Sequence, residues 1–180
     1  LAYLGFGGGS GGEYCEARVK DFRFTLDAPQ DPLPSASSLG TAVLSAGSTN
    51  VVTLDTVVPD AVFAIGAVQF ESGATLGLEA ANANGGTLTL AAAALAGAGT
   101  FDVRSGTTLA VSNLAGGATL TKTGIGTLTL KGAVATYTGN TVLSAGRLSL
   151  DAPRLPPATD LYVTPGATLN LAFAGKQYVH

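Results

Sequence analysis

Residues 120–150 read LTKTGIGTLTLKGAVATYTGNTVLSAGRLSL. Within this stretch, Leu128/Leu130 and Leu148/Leu150 are apolar pairs that straddle one small polar residue, Thr129 or Ser149, and each pair follows a glycine, Gly126 or Gly146. Alternation with period two marks a strand with one buried and one wet face, and the preceding glycine lets the chain turn a corner.

Working outward, the same pair recurs as Val68/Phe70, Leu88/Leu90, Leu109/Val111 and Leu169/Leu171, so that successive first members are 20, 21, 19, 20 and 21 residues apart. Gly66, Gly86, Gly106 and Gly166 extend the glycine series, and Gln69, Thr89, Ala110 and Asn170 the straddled positions. A second series (Phe101/Val103, Leu120, Val142, Leu161/Val163) precedes the next main pair by eight, eight, six and eight residues. Each repeat therefore holds at least two short strands, with corners at Ser105-Gly106, Gly124-Ile125-Gly126 and Pro165-Gly166. Pro153, Pro156 and Pro157 mark a longer excursion, because proline cannot donate within a central ladder.

Near-equal steps that carry the same residue types at the same phase predict an all-β, right-handed parallel β-solenoid (β-helix). Its coils would stack about 4.8 Å apart with the leucines facing inward. An antiparallel sandwich also accommodates strands at this density but gives no reason for the constant phase. The run Leu90–Ala98 (LAAAALAGA) has helical propensity but lacks a cap, and is expected to form an apolar corner.

Composition narrows the function classes. Only 12% of the 180 residues are charged and 25 are glycine, with a net charge of -3, against a usual charged share of roughly 25%. The nine Lys and Arg are scattered, so no nucleic-acid footprint exists and nucleic acid is not an expected partner. No apolar run is long enough to span a membrane as a helix, so this segment is not expected to insert. Cys15 is the single cysteine and His180 the single histidine, which removes any internal disulfide and any Cys- or His-based metal or catalytic cluster. No cofactor or metal is expected. The chain starts with Leu1 rather than methionine and no charged region precedes it, so its amino terminus is expected to be interior to a longer protein.

Residues 120–150 closely resemble the autotransporter-associated β-strand repeat, with pattern L-x-K-x-G-x-G-x-L-x-L-x-G-x-x-x-Y-x-G-x-T-x-V-x-x-G-x-L-x-L. The matching positions are Leu120, Lys122, Gly124, Gly126, Leu128, Leu130, Gly132, Tyr137, Gly139, Thr141, Gly146, Leu148 and Leu150. The resemblance implies a β-helical passenger or stalk region of secreted and surface proteins, without enzymatic activity of its own and continuous with flanking repeats of the same chain. Ala167–His180 is similar to the strand that follows such repeats in exported bacterial proteins, which implies that the solenoid is truncated at His180 and continues in the longer protein.

The first 26 residues, LAYLGFGGGSGGEYCEARVKDFRFTL, differ in character: a strand over Leu1–Phe6, a glycine-rich loop, then a strand with Ala17, Val19, Phe22 and Phe24. They resemble the closing hairpin of a legume-type, concanavalin-like lectin jelly roll. That resemblance implies a sugar-contacting loop at Gly7, Gly8, Gly9, Ser10, Gly11 and Gly12, with glycans as partners of the complete protein. It also implies the division 1–28 lectin-type hairpin, 29–40 linker (Pro29–Ser38 being rich in Pro, Ser, Ala and Asp) and 41–180 solenoid.

Three functions follow: an extracellular or cell-surface structural passenger acting as a stalk or spacer, an adhesin-like glycan binder, and a β-helical polysaccharide-degrading enzyme. An enzyme needs carboxylates converging from neighbouring coils. Glu71, Glu79, Asp102, Asp151 and Asp160, with Asp55 and Asp60, fall at different phases and read as isolated surface carboxylates, so no catalytic residue is assigned. Lys122 falls nominally on the inward face and reads as structural, its stem packed and its ammonium at the surface. Tyr137 and Tyr162 could stack on sugar or cap the apolar interior. Coils with uncovered ends expose strand edges, so the isolated segment is expected to associate end to end.

Overall fold

The computed structural model describes residues 18–19, 23–27, 41–131, 136–153, 155–157 and 159–177. Among them no helix forms and every strand pairing is parallel. The strands are β1 (Arg18–Val19), β2 (Arg23–Asp27), β3 (Ala42–Leu44), β4 (Thr49–Asp55), β5 (Val62–Phe70), β6 (Ala74–Ala80), β7 (Gly86–Leu95), β8 (Gly99–Val103) and β9 (Thr107–Val111). They continue as β10 (Leu114–Gly116), β11 (Leu120–Thr123), β12 (Thr127–Leu130), β13 (Thr136–Tyr137), β14 (Thr141–Leu143), β15 (Arg147–Leu150), β16 (Leu161–Val163) and β17 (Thr168–Leu171). The expected β-solenoid is present.

One sheet runs β16-β14-β11-β8-β6-β4-β2, and the other contains ten strands. The larger sheet is two ladders that share the long strands β5 and β7. In the first, Phe63, Leu88, Leu109, Leu128, Leu148 and Leu169 lie in register. In the other, Leu44, Phe70, Leu95, Gly116 and Tyr137 lie in register. Each full coil thus has three strand positions, and all three point apolar residues into one interior. Leu44, Phe70, Leu76, Leu88, Leu95, Phe101, Leu109, Leu128 and Leu148 are fully buried there.

This register corrects the phase of the first repeat. Phe63 and Ile65, not Val68 and Phe70, lie beneath Leu88 and Leu90, while Val68 and Phe70 face Ala93 and Leu95 in the additional ladder. The coil from Phe63 to Leu88 is 25 residues, because β6 has seven residues where β8 has five and its corner, 81–85, outlasts 104–106. Gly66 accordingly lies inside β5 at the bend between ladders, whereas the expected corners at Gly106, Gly124–Gly126 and Gly166 are present. Gly106 and Gly146 adopt φ of 75° and 69°, a region that side chains with a Cβ rarely enter.

Two other expectations shift. The run Leu90–Leu95 is strand, the second half of β7, and only 96–98 turn the corner. Ladder bonds to β5 on one side and β10 on the other outweigh the weak helical preference of alanine. In the smaller sheet Leu143, not Val142, takes the inward position above Lys122. Corner lengths vary, so counting back from the main pair slips by one residue, and one residue exchanges the faces of a strand.

At the other end, β1 pairs with β3, and β2 pairs residue for residue with Val51–Asp55 of β4, both in parallel. The strand read as the closing arm of a lectin-type hairpin is therefore a rung of the solenoid. Leu1–Phe6, the loop Gly7–Gly12, Cys15, the segment Pro29–Ser38 and the divisions at 28/29 and 40/41 lie outside the described residues.

One close interior fit joins two ladders. Phe70 and Phe101 pack edge to face with ring centroids 5.0 Å apart. In the inward column between Ala74 and Leu120 stands Gly99, where a Cβ would come 2.7 Å from Phe70 Cδ1 and 2.9 Å from Leu95 Cδ2. Overpacking of this kind costs about 1–3 kcal/mol. Gly99→Ala is expected to lower stability by that amount in chemical denaturation, and an unchanged midpoint would show that the column has slack.

Candidate functional site

The one ionised group brought inside the solenoid among the described residues is Lys122. Strand β11 places it in the inward column between Phe101 of β8 below and Leu143 of β14 above, with no exposed surface. Its ammonium is not at the surface, as the sequence suggested, but turned into the corner of the coil. There Nζ donates to the carbonyls of Thr123, of Gly124 at 2.7 Å and of Ala145 at 3.3 Å. Three ammonium protons thus meet three backbone oxygens, two from its own corner and one from the corner of the next coil. Burial without such partners would cost several kcal/mol. Burial lowers the Lys122 pKa to about 8, and the Asp102 carboxylate opposes that shift.

The interior also holds a polar side-chain pair in the repeat motif. Tyr137 is buried opposite Gly116, and its hydroxyl bonds Thr141 Oγ1, itself buried. Burial raises the Tyr137 pKa, partly offset by the Thr141 bond. Tyr137 therefore caps the interior and offers no ring to a ligand. Tyr162 is exposed, and its hydroxyl donates to Asp160 Oδ2 at 2.9 Å.

The outer faces are dominated by hydroxyls. Thr49, Thr75, Thr100 and Thr121 stack in register on the smaller sheet. Thr87, Thr108 and Thr127 do so on the larger one. Two of the acids expected to be isolated are not. Arg104 Nη1 lies 2.5 Å from Glu79 Oε2, and its Nε 3.6 Å from Asp102 Oδ2. Thr53 Oγ1 donates to Glu79 at 3.0 Å and Thr123 Oγ1 to Asp102 at 3.1 Å. Four successive coils are tied by this row. The phase argument missed it because the long arginine side chain reaches a neighbouring column. Both carboxylates are turned onto one guanidinium, which is a cross-coil brace rather than an acid and base facing a sugar ring.

The other acids are dispersed. Asp55 accepts from Asn82 Nδ2 at 3.0 Å, and Glu71 Oε2 from the amide of Ala46 at 3.0 Å. Among the described residues no three acidic, His or Cys side chains group as a metal site. Of the motif residues, Leu120, Leu128, Leu130, Leu148 and Leu150 line the interior with Lys122, Tyr137 and Thr141. Gly124 and Gly146 turn corners at φ of 69°, and Gly126 closes the first of these. Gly139 follows β13 at a close approach to Ala118. Gly132 lies outside the described residues.

Such a molecule belongs to the class of parallel β-solenoids with a braced, hydroxyl-rich surface. Within it, residues 120–150 match the model of the passenger-associated-transport-repeat family. No curated protein and no solved structure matches the chain. The family's description is consistent with a passenger segment of an autotransporter-type protein. The lectin resemblance of the first residues gains no support.

The environment of Lys122 fixes a pH dependence. An unfolded lysine titrates near 10.5 and the folded one near 8, so between these values the unfolded chain binds more protons. Stability therefore carries the full burial penalty below about pH 8 and rises as pH climbs from there toward 10.5. Tyr137 acts in the opposite sense above the ordinary tyrosine range, since its phenol ionises first in the unfolded chain. Lys122→Met removes only the lysine contribution. Thermal melts of both proteins across this range are expected to show a rise in the parent relative to the variant, and parallel profiles would contradict the buried ammonium.

Proposed function

We propose that this chain is a rigid, non-catalytic passenger segment of an exported protein, acting outside the cell or at its outer surface as a stalk or spacer. The observation that carries this reading is the unbroken inward column Leu88, Leu109, Leu128, Leu148, Leu169. A parallel stack held this way has a length set by the number of coils, about 4.8 Å each. The match of residues 120–150 supports the passenger setting. The surface chemistry supports passivity: threonine rows stay hydrated, and Glu79 and Asp102 are committed to Arg104.

The test is made on the longer protein at the surface of its cell. Thr75, Thr100 and Thr121 are replaced together by serine in one variant, and in another the coil Leu128–Arg147 is duplicated. The spacer reading expects the serine variant to retain display and whatever activity the remainder of the protein has. It expects the duplication to keep display while lengthening the segment by about 5 Å, read by paired spin labels. Loss of activity in the serine variant would instead indicate that the outer face binds or acts on something.

A further inference from the structure

The corner at 81–85, which enlarges the coil between Phe63 and Leu88, is tied to the coil beneath it by amide side chains. Asn82 Nδ2 donates to Asp55 Oδ1 at 3.0 Å and to the carbonyl of Thr56 at 2.9 Å, and Asn84 Nδ2 donates to the same carbonyl at 2.6 Å. The backbone of Asn84 is fixed as well. Its amide donates to Asn82 Oδ1 at 3.0 Å in an Asx turn, and its carbonyl accepts from the amide of Asp60 at 3.2 Å. The next position demands glycine: Gly85 has a φ of 68°, and a Cβ there would run into the carbonyl oxygen of Gly106 in the coil above. The fold thus sets an asparagine before a residue without a side chain, at a corner where Asn82 and Ala83 are exposed and Asn84 is half-buried. Every other asparagine precedes a residue with a Cβ: Val51 follows Asn50, Ala83 Asn82, Leu114 Asn113, Thr141 Asn140 and Leu171 Asn170.

We propose that Asn84 is a site of self-modification, deamidating to aspartate and isoaspartate at a rate governed by the Asn82 clamp. Asparagine is among the thermally labile residues, and a following glycine leaves its side-chain carbon open to attack. Base removes the amide proton of Gly85, the Gly85 nitrogen attacks Cγ of Asn84, and a cyclic imide closes. The bond formed is N–Cγ and the bond broken is Cγ–Nδ2; the side-chain nitrogen takes up a proton in place of the one removed and departs as ammonia. Water then opens the imide at either carbonyl, giving aspartate or, with the main chain rerouted through the side chain, isoaspartate. Cyclisation requires Asn84 to leave Thr56, so the reaction runs through local opening of the corner and is slower than in a free peptide. The aspartate product sets a carboxylate against the Thr56 carbonyl, two acceptors where an amide had joined two coils. Isoaspartate lengthens the main chain where Gly85 already lies against Gly106.

This inference concerns chemical ageing and stands apart from the spacer role. The 180-residue chain is incubated at neutral and mildly alkaline pH, and peptide mapping by mass spectrometry follows each asparagine beside a synthetic peptide of residues 81–87. Asn84 is expected to convert to both products, more slowly than in the peptide and faster as pH rises, while the other asparagines persist. Asn82→Ala removes the acceptor for the Asn84 amide and is expected to speed conversion several-fold with an unchanged far-UV spectrum. Asp55→Ala releases one of the bonds made by Asn82 without touching the apolar interior, and is expected to act in the same direction by less. Asn84→Asp is expected to melt below the parent. An Asn84 that stays intact in the folded chain after the peptide has reacted fully overturns the proposal. So does conversion at one rate in the parent and both clamp variants, or an Asn84→Asp variant that melts with the parent.

Discussion

Every part of this molecule depends on coils lying directly over one another with their inward side chains aligned. A parallel ladder gives the backbone its hydrogen bonds but does not by itself choose a register. The interior makes that choice, because a shift of one residue would turn Leu109 or Leu128 into solvent and a threonine inward. Apolar burial and backbone pairing thus reinforce each other at each step, and no third layer of structure is needed to close the core.

Within that frame polar groups enter where a corner carbonyl or another buried side chain meets them. Lys122 occupies an inward position because three carbonyls meet its ammonium where two coils turn. Tyr137 and Thr141 satisfy each other opposite a glycine. On the wet side the same stacking brings Glu79, Arg104 and Asp102 within reach across coils. Interior and surface therefore both carry cross-links between neighbouring coils, one joining the β11 and β14 coils through a cation on carbonyls, the other the β6 and β8 coils through a cation on carboxylates.

The leucine columns from Leu88 upward were legible in the sequence because their coils differ in length by no more than two residues. Below that point legibility failed for a physical reason. A longer strand and a longer corner enlarge the coil without disturbing the column, so Val68/Phe70 kept an apparent spacing of 20 residues while belonging to another face. The third strand position stayed hidden because its column passes through Gly116, which has no apolar side chain to count. Lys122 could be placed on the inward face by alternation, but not the fate of its ammonium, which depends on where carbonyls from two corners point. The Arg104 brace was equally illegible, since phase counting tracks backbone positions and not the reach of a side chain.

The pocket left by Gly99 for Phe70 has a bearing on how such a chain can change over generations. Coils above Leu109 carry similar leucines at similar positions, so a duplicated or deleted coil there would meet neighbours of nearly the same shape. The pair holding Phe70 and Gly99 is a lock cut for one key: a ring on one face requires an absence on another. Recombination that slid one of these coils past the other would set the ring against a side chain, as at Leu120, or leave a hole beneath it. A duplicated coil is thus easier to fit in the upper part of the solenoid than between the two coils that hold Phe70 and Gly99.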